Sequence, residues 1–139
     1  MREGGTVMGI IERNGHRHLC AFILLLIAEE NGYGREIHRR LEESFPGFRR
    51  DSSTVYRCLR TLVEEGALSF EWVFSDRGDP KKRYRLTESG YADLREWEED
   101  IAVRKRHFDT FLRRYAALKD KGEETRREGE GNPGRFRAE

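Results

Sequence analysis

The chain has 139 residues, 36% hydrophobic and 38% charged, a length for one domain with appendages and a composition too polar for a wholly compact globule. Lys and Arg number 27 against 26 Asp and Glu, a formal net charge of +1. That excludes a uniformly basic nucleic-acid binder but leaves room for opposed local patches.

Residues 1–15 are rich in Gly and charge and are read as a flexible N-terminal segment. The next stretch, 16–30, holds the one long apolar run, Leu19 to Ala28. It is too short to cross a bilayer, which needs about 20 residues, so no membrane partner is expected. Glu3 and Glu12 upstream and Ala28-Glu29-Glu30 downstream do not suit a signal peptide, and a helix buried on all sides is expected instead. Asn31-Gly32-Tyr33-Gly34 reads as a turn. Ile37, Leu41 and Phe45 then recur every four residues, an amphipathic helix from Arg35 that Pro46-Gly47 ends. Asp51, Ser52 and Ser53 are candidate N-caps for a third helix. It would bury Val55, Leu59, Leu62 and Val63, present Ser53, Arg57, Arg60 and Glu64, and close at Gly66.

From Leu68 the period changes from helical to twofold. Leu68, Phe70, Trp72 and Phe74 alternate with Ser69, Glu71 and Val73, which predicts a strand with one buried face. A loop through Asp76-Arg77-Gly78-Asp79-Pro80 leads to a returning strand around Tyr84 and Leu86. Three helices and then a hairpin is the winged helix-turn-helix plan, here mainly α with a small β-hairpin.

Thr87 can cap a last helix reaching about Lys119, roughly 48 Å long at ~1.5 Å per residue. Leu94, Trp97, Ile101, Arg104, Phe108, Phe111, Tyr115 and Leu118 follow a heptad rhythm interrupted only by Arg104. So small a domain cannot cover that stripe, and a second copy of the chain is the simplest partner, although the first turns could pack on the chain's own first helix. The domain plan is therefore 1–15 flexible, 16–90 DNA-binding, 91–120 dimerisation helix and 121–139 disordered tail.

The near-neutral total hides two basic clusters. Arg49, Arg50, Arg57 and Arg60 face one acid, Asp51, over residues 49–60. Arg77, Lys81, Lys82, Arg83 and Arg85 face one acid, Asp79, over residues 77–85. These are the third helix and the hairpin. A helix fits the major groove, where Arg forms paired hydrogen bonds with guanine. Hydroxyls and N–H groups at its start can hold phosphates, and a basic wing can follow the backbone or the minor groove.

Cys20 and Cys58 lie in apolar helical patterns, not in a CxxC pair, which suits a reducing cytoplasm rather than a disulfide scaffold. His16, His18 and Cys20 do not share a helix face, so no metal site is expected, and no cofactor is implied. The phosphate-loop, dinucleotide and hydrolase motifs are lacking, as is any nucleophile–base set, so the chain is not read as an enzyme.

The ordered strings Leu24-Leu25-Leu26-Ile27-Ala28, Tyr33-Gly34-Arg35-Glu36-Ile37, Ser53-Thr54-Val55-Tyr56, Glu64-Glu65-Gly66 and Lys82 to Gly90 resemble the PadR family of bacterial transcriptional regulators. The single last helix looks like that family's shorter branch. The segment Arg17 to Leu26 and the ending Phe108 to Tyr115 look closest to the polyhydroxybutyrate-responsive repressors. The resemblance implies a homodimeric repressor on a double-stranded DNA operator, relieved by a small molecule or cellular signal. By position it implies DNA contacts at Tyr33, Ser53, Thr54, Tyr56, Arg57 and Arg60, with Lys81, Lys82 and Arg83 on the wing; Arg49 and Arg50 join them from the charge pattern. Arg35 stands where the family often has an aromatic. Some such regulators hold flat apolar compounds between subunits, which makes Phe22, Trp97 and Ile101 candidate effector contacts; plain packing is the alternative for Trp97. Two other readings compete: a winged-helix module that binds protein through its long helix, and a multiple-antibiotic-resistance-type repressor, which shares the Leu86-Thr87 and Gly90 ending of the wing.

Overall fold

The computed structural model describes residues 18–48 and 50–127. The expected flexible segment 1–15, His16, Arg49 and the tail from residue 128 lie outside them. The elements are α1 (Leu19–Glu29), β1 (Gly32–Tyr33), α2 (Gly34–Ser44), α3 (Ser52–Glu64), β2 (Leu68–Val73), β3 (Lys81–Leu86) and α4 (Glu88–Arg127). Described residues up to Glu98 form one compact unit and those from Glu99 another.

In the first unit α1 is the centre. Leu19, Cys20, Ala21, Ile23, Leu24, Leu26 and Ile27 are all buried, so the helix meets protein on nearly every side, as its uniform apolarity predicts. At its C-terminal end Leu26 O accepts both the Glu30 N–H at 3.0 Å and the Arg40 guanidinium at 2.6 Å, and the same guanidinium donates to Glu30 O at 3.0 Å. That ties α2 to the end of α1. Ile37 and Leu41 of α2 face inward. From α3, Val55, Leu59 and Leu62 join them, and Cys58 is buried where Val63 was expected; Val63 is half-buried.

Asp51 is the N-cap of α3, its carboxylate accepting the Thr54 N–H at 3.0 Å. At the other end Gly66 takes φ +87°, open to glycine without a Cβ penalty. There Ala67 N–H bonds Leu62 O and Gly66 N–H bonds Val63 O, which satisfies the last carbonyls of α3. The same corner starts α4: Thr87 Oγ1 donates to Gly66 O at 2.6 Å and accepts from Gly90 N at 3.1 Å.

The segment 31–34, expected to be only a turn, also carries a strand. Gly32 pairs with Tyr84 and Tyr33 with Arg83, making an antiparallel sheet of order β1-β3-β2. Two residues are too few to show alternation. β2 also differs from expectation. Leu68 is buried and Phe70 half-buried, but Trp72 is 52% exposed and Phe74, outside the strand, 71% exposed. Alternation assigns a face; it does not say how far along the strand that face is covered.

α4 has 40 residues, about 60 Å at 1.5 Å per residue. It passes Lys119 and runs through residues 121–127, which were expected to be tail. Lys121, Glu123 and Glu124 favour helix, and Glu123 precedes Arg127 by one turn. Arg126 and Arg127 suit the negative C-terminal end of the helix dipole.

Candidate nucleic-acid interface

The outer face of α3 follows from its inner one. With Val55, Cys58, Leu59 and Leu62 buried, the 3.6-residue period turns Ser53, Tyr56, Arg57 and Arg60 outward, and all four are exposed. Among the described residues neither Arg57 nor Arg60 has a carboxylate within salt-bridge distance. Two exposed guanidiniums on one helix face have the geometry for guanine edges or phosphates.

The start of α3 is less available than the sequence implied. Thr54 is half-buried, and its N–H already bonds Asp51. The Ser53 hydroxyl donates to the same carboxylate at 3.4 Å. These bonds, those to Thr54 first, hold the Asp51 carboxyl below its ordinary range. The helix start therefore carries a fixed negative charge beside the groups expected to hold phosphate.

Arg50 is also engaged. Its guanidinium lies 4.1 Å above the Phe48 ring, and His38 Nε2 donates to its carbonyl at 2.9 Å. Half-buried there, it sets the approach of the chain to α3.

The sheet brings the wing beside α3. Tyr33, half-buried, donates its N–H to Glu36 Oε1 at 3.2 Å, and Lys81 Nζ lies 6.0 Å from its ring. Lys82 Nζ lies over Phe70 at 4.6 Å and Trp72 at 5.5 Å. Arg83 reaches Glu71 at 3.8 Å, a pair between exposed side chains. Buried Tyr84 joins wing and helix: burial pushes its phenol up, the neighbouring Tyr56 adds to this, and Arg60 opposes it. Tyr56, Arg60, Tyr84, Lys81 and Tyr33 thus form one continuous region of α3 and sheet.

The aromatic stripe divides. Leu94 is half-buried, and Trp97 is buried against the His18 ring at 5.8 Å. His18 also stacks on Phe22, and Phe22 on Phe45 at 4.1 Å. Phe22 and Trp97 thus share a neighbour in the first unit, while Ile101 is half-buried in the second. In the second unit Arg104 bonds Asp100 one turn back at 3.1 Å. Phe108, Phe111, Tyr115 and Leu118 are all at least half exposed, and so is Leu112, which the heptad reading omitted. Among the described residues no group of three or more His, Cys, Asp or Glu is placed to hold a metal, and no helix is long and apolar enough to cross a membrane.

A family model, the transcriptional regulator PadR-like family, matches residues 23–96. The chain belongs to this family. Its members regulate transcription through DNA and are not enzymes. The match runs from the middle of α1 to the first turns of α4, so it covers both basic clusters and ends before the exposed stripe. A crystal structure of a conserved protein of unknown function, described as a potential transcriptional factor, is 34% identical with a TM-score of 0.66; the match covers 76% of this chain and 93% of that one. A PadR-like transcription factor from Bacteroides fragilis is 30% identical with a TM-score of 0.60, covering 74% of this chain and 96% of that one. An uncharacterised Lysinibacillus sphaericus protein is 29% identical over 96 residues, 68% of this chain and 88% of its own length.

Proposed function

We propose that this PadR-like regulator is a cytoplasmic homodimeric repressor that places one winged helix-turn-helix, residues 16–90, on each half of an operator and is released by a small molecule or cellular signal. The observation that carries the DNA-reading part is the exposed pair Arg57 and Arg60 on α3, beside the basic strand Lys81–Arg83. Arg57 and Arg60 read bases, Tyr56 and Lys81 meet the backbone, and Tyr33, Ser53, Thr54, Lys82 and Arg83 contribute once their internal partners are exchanged for phosphate. Arg50 supports the helix from Phe48, and Arg49 adds charge. The exposed Phe108, Phe111, Tyr115 and Leu118, with the half-buried Leu94 and Ile101, support dimerisation within residues 91–120, while Trp97 packs against His18 of its own chain.

The test is fluorescence anisotropy with the duplex upstream of the protein's own gene against a shuffled duplex, titrated across salt. A preference of about a thousandfold is expected. Arg57→Glu with Arg60→Glu should abolish it. Loss of all binding in the wild type, even at low salt, would leave the long helix as a protein-binding surface.

A further inference from the structure

DNA reading uses the outer face of α3 and leaves two groups on the inner face idle. Cys20 of α1 is fully buried and Cys58 of α3 nearly so. Both are free thiols, 38 residues apart in sequence, with their sulfurs 3.1 Å apart. Apolar fillers need only rest at the ordinary contact distance of about 3.5–4.0 Å. Here one thiol donates its hydrogen to the other sulfur across the helix interface. The neighbours of Cys58 in the chain are Arg57, on the reading face, and Leu59, in the core.

We propose that Cys20 and Cys58 are a reversible oxidation site, at which a hydroperoxide converts the dithiol into an intramolecular disulfide that ties α3 to α1. The hydroperoxide oxidises one thiol to a sulfenic acid and leaves as the alcohol, or as water from hydrogen peroxide. The second thiol attacks that sulfur, forming the S–S bond and releasing water. Two electrons and two hydrogens pass from the thiols to the peroxide. The resolving thiol is already in contact, so the sulfenic acid does not accumulate. The bond with Cys20 and burial hold the Cys58 thiol well above its usual range, which disfavours the thiolate and slows the first step. In a reducing compartment such a bond is transient and regulatory rather than a scaffold.

Closure brings the sulfurs from 3.1 Å to about 2.0 Å, which draws α3 toward α1 beneath Arg57 and Arg60. The consequence for DNA rests on the proposed function; the chemistry does not. In the test, the native full chain is treated with hydrogen peroxide, then alkylated and analysed by mass spectrometry under non-reducing conditions. The expected result is simultaneous loss of both thiols, a Cys20–Cys58 linked peptide and full reversal by dithiothreitol. Cys20→Ala and Cys58→Ala should each abolish the linkage. Thiols that stay free in the native chain, or that link only in urea or only between chains, overturn the proposal. The oxidised form should bind operator about tenfold more weakly, the loss of roughly one good base contact. Equal affinity of the oxidised and reduced forms overturns the regulatory role. The thiol readout needs no DNA, so failure of the repressor reading leaves it intact.

Discussion

The ring of Tyr56 rests on the backbone of Gly34. A Cβ on Gly34 would overlap the ring at Cε1 and lie 3.0 Å from Cζ and from the hydroxyl oxygen. This is where α2 meets α3. The absence of a side chain at the first residue of α2 lets the Tyr56 ring of α3 approach its backbone closely. Tyr56 is still 42% exposed, so it both positions α3 and faces outward.

Gly34→Ala should therefore displace the Tyr56 ring. The ring borders solvent and can swing away, so stability should fall by only about 1 kcal/mol. Operator affinity should fall with it. Tyr56→Ala removes the obstacle, and Gly34→Ala added to it should cost little more. A double-mutant cycle with urea unfolding checks this, and purely additive effects would refute the coupling.

Gly90 makes the stricter contact. A Cβ there would overlap the Ala67 carbonyl oxygen, which cannot swing aside. That carbonyl also accepts the Thr87 N–H at 3.1 Å. Gly90→Ala should cost about 2–4 kcal/mol, far more than Gly34→Ala, because backbone at the α3–α4 corner must move. Urea unfolding of both variants gives the comparison, and equal losses would contradict it.

Much of this corner was legible in sequence. Gly66 and Thr87 were read as helix stop and helix cap, because local chemistry fixes such positions; Gly90 entered only through the family resemblance, and it lies in the first turn of α4. The core of α1, the Ile37/Leu41 stripe and the outward Arg57 and Arg60 were legible because each rests on periodicity. What escaped depends on partners distant in sequence. Nothing around Gly32 and Tyr33 announces pairing with β3. The alternation of Trp72 and Phe74 does not reveal that the covered face stops near Phe70. Arg50 was counted with the basic cluster as a DNA contact, and its place over the Phe48 ring with His38 on its carbonyl depends on contacts that the local sequence does not show. Asp51 was one of three possible caps, and its capture of the Thr54 N–H means that phosphate must displace an internal partner there.

Asp51 gives a pH dependence with a defined sign. Its carboxylate is held below 3.8 in the folded chain by hydrogen bonds that need the charged form. Its contribution to stability is complete above the unfolded value and is lost as pH falls through the folded one. Asp51→Asn keeps a good cap but cannot titrate. The two proteins should melt alike near neutrality, and below about pH 4 the wild type should lose melting temperature more steeply. Parallel acid limbs in a pH series of thermal melts would contradict this.

The exposed stripe of α4 sets the last prediction. Phe108, Phe111, Leu112, Tyr115 and Leu118 each leave half or more of their surface in water, and Phe111 stacks on Tyr115, with ring centroids 6.3 Å apart. Burying such a side chain contributes about 1.5–3 kcal/mol, and in a twofold dimer every residue counts twice. Phe108→Glu with Phe111→Glu removes four such contributions and brings like charges together. Light scattering at micromolar concentration should give twice the monomer mass for the wild type and the monomer mass for the double variant. Circular dichroism should show the first unit still folded, because its core at α1 uses none of these residues. A wild type of monomer mass would refute dimerisation through this stripe.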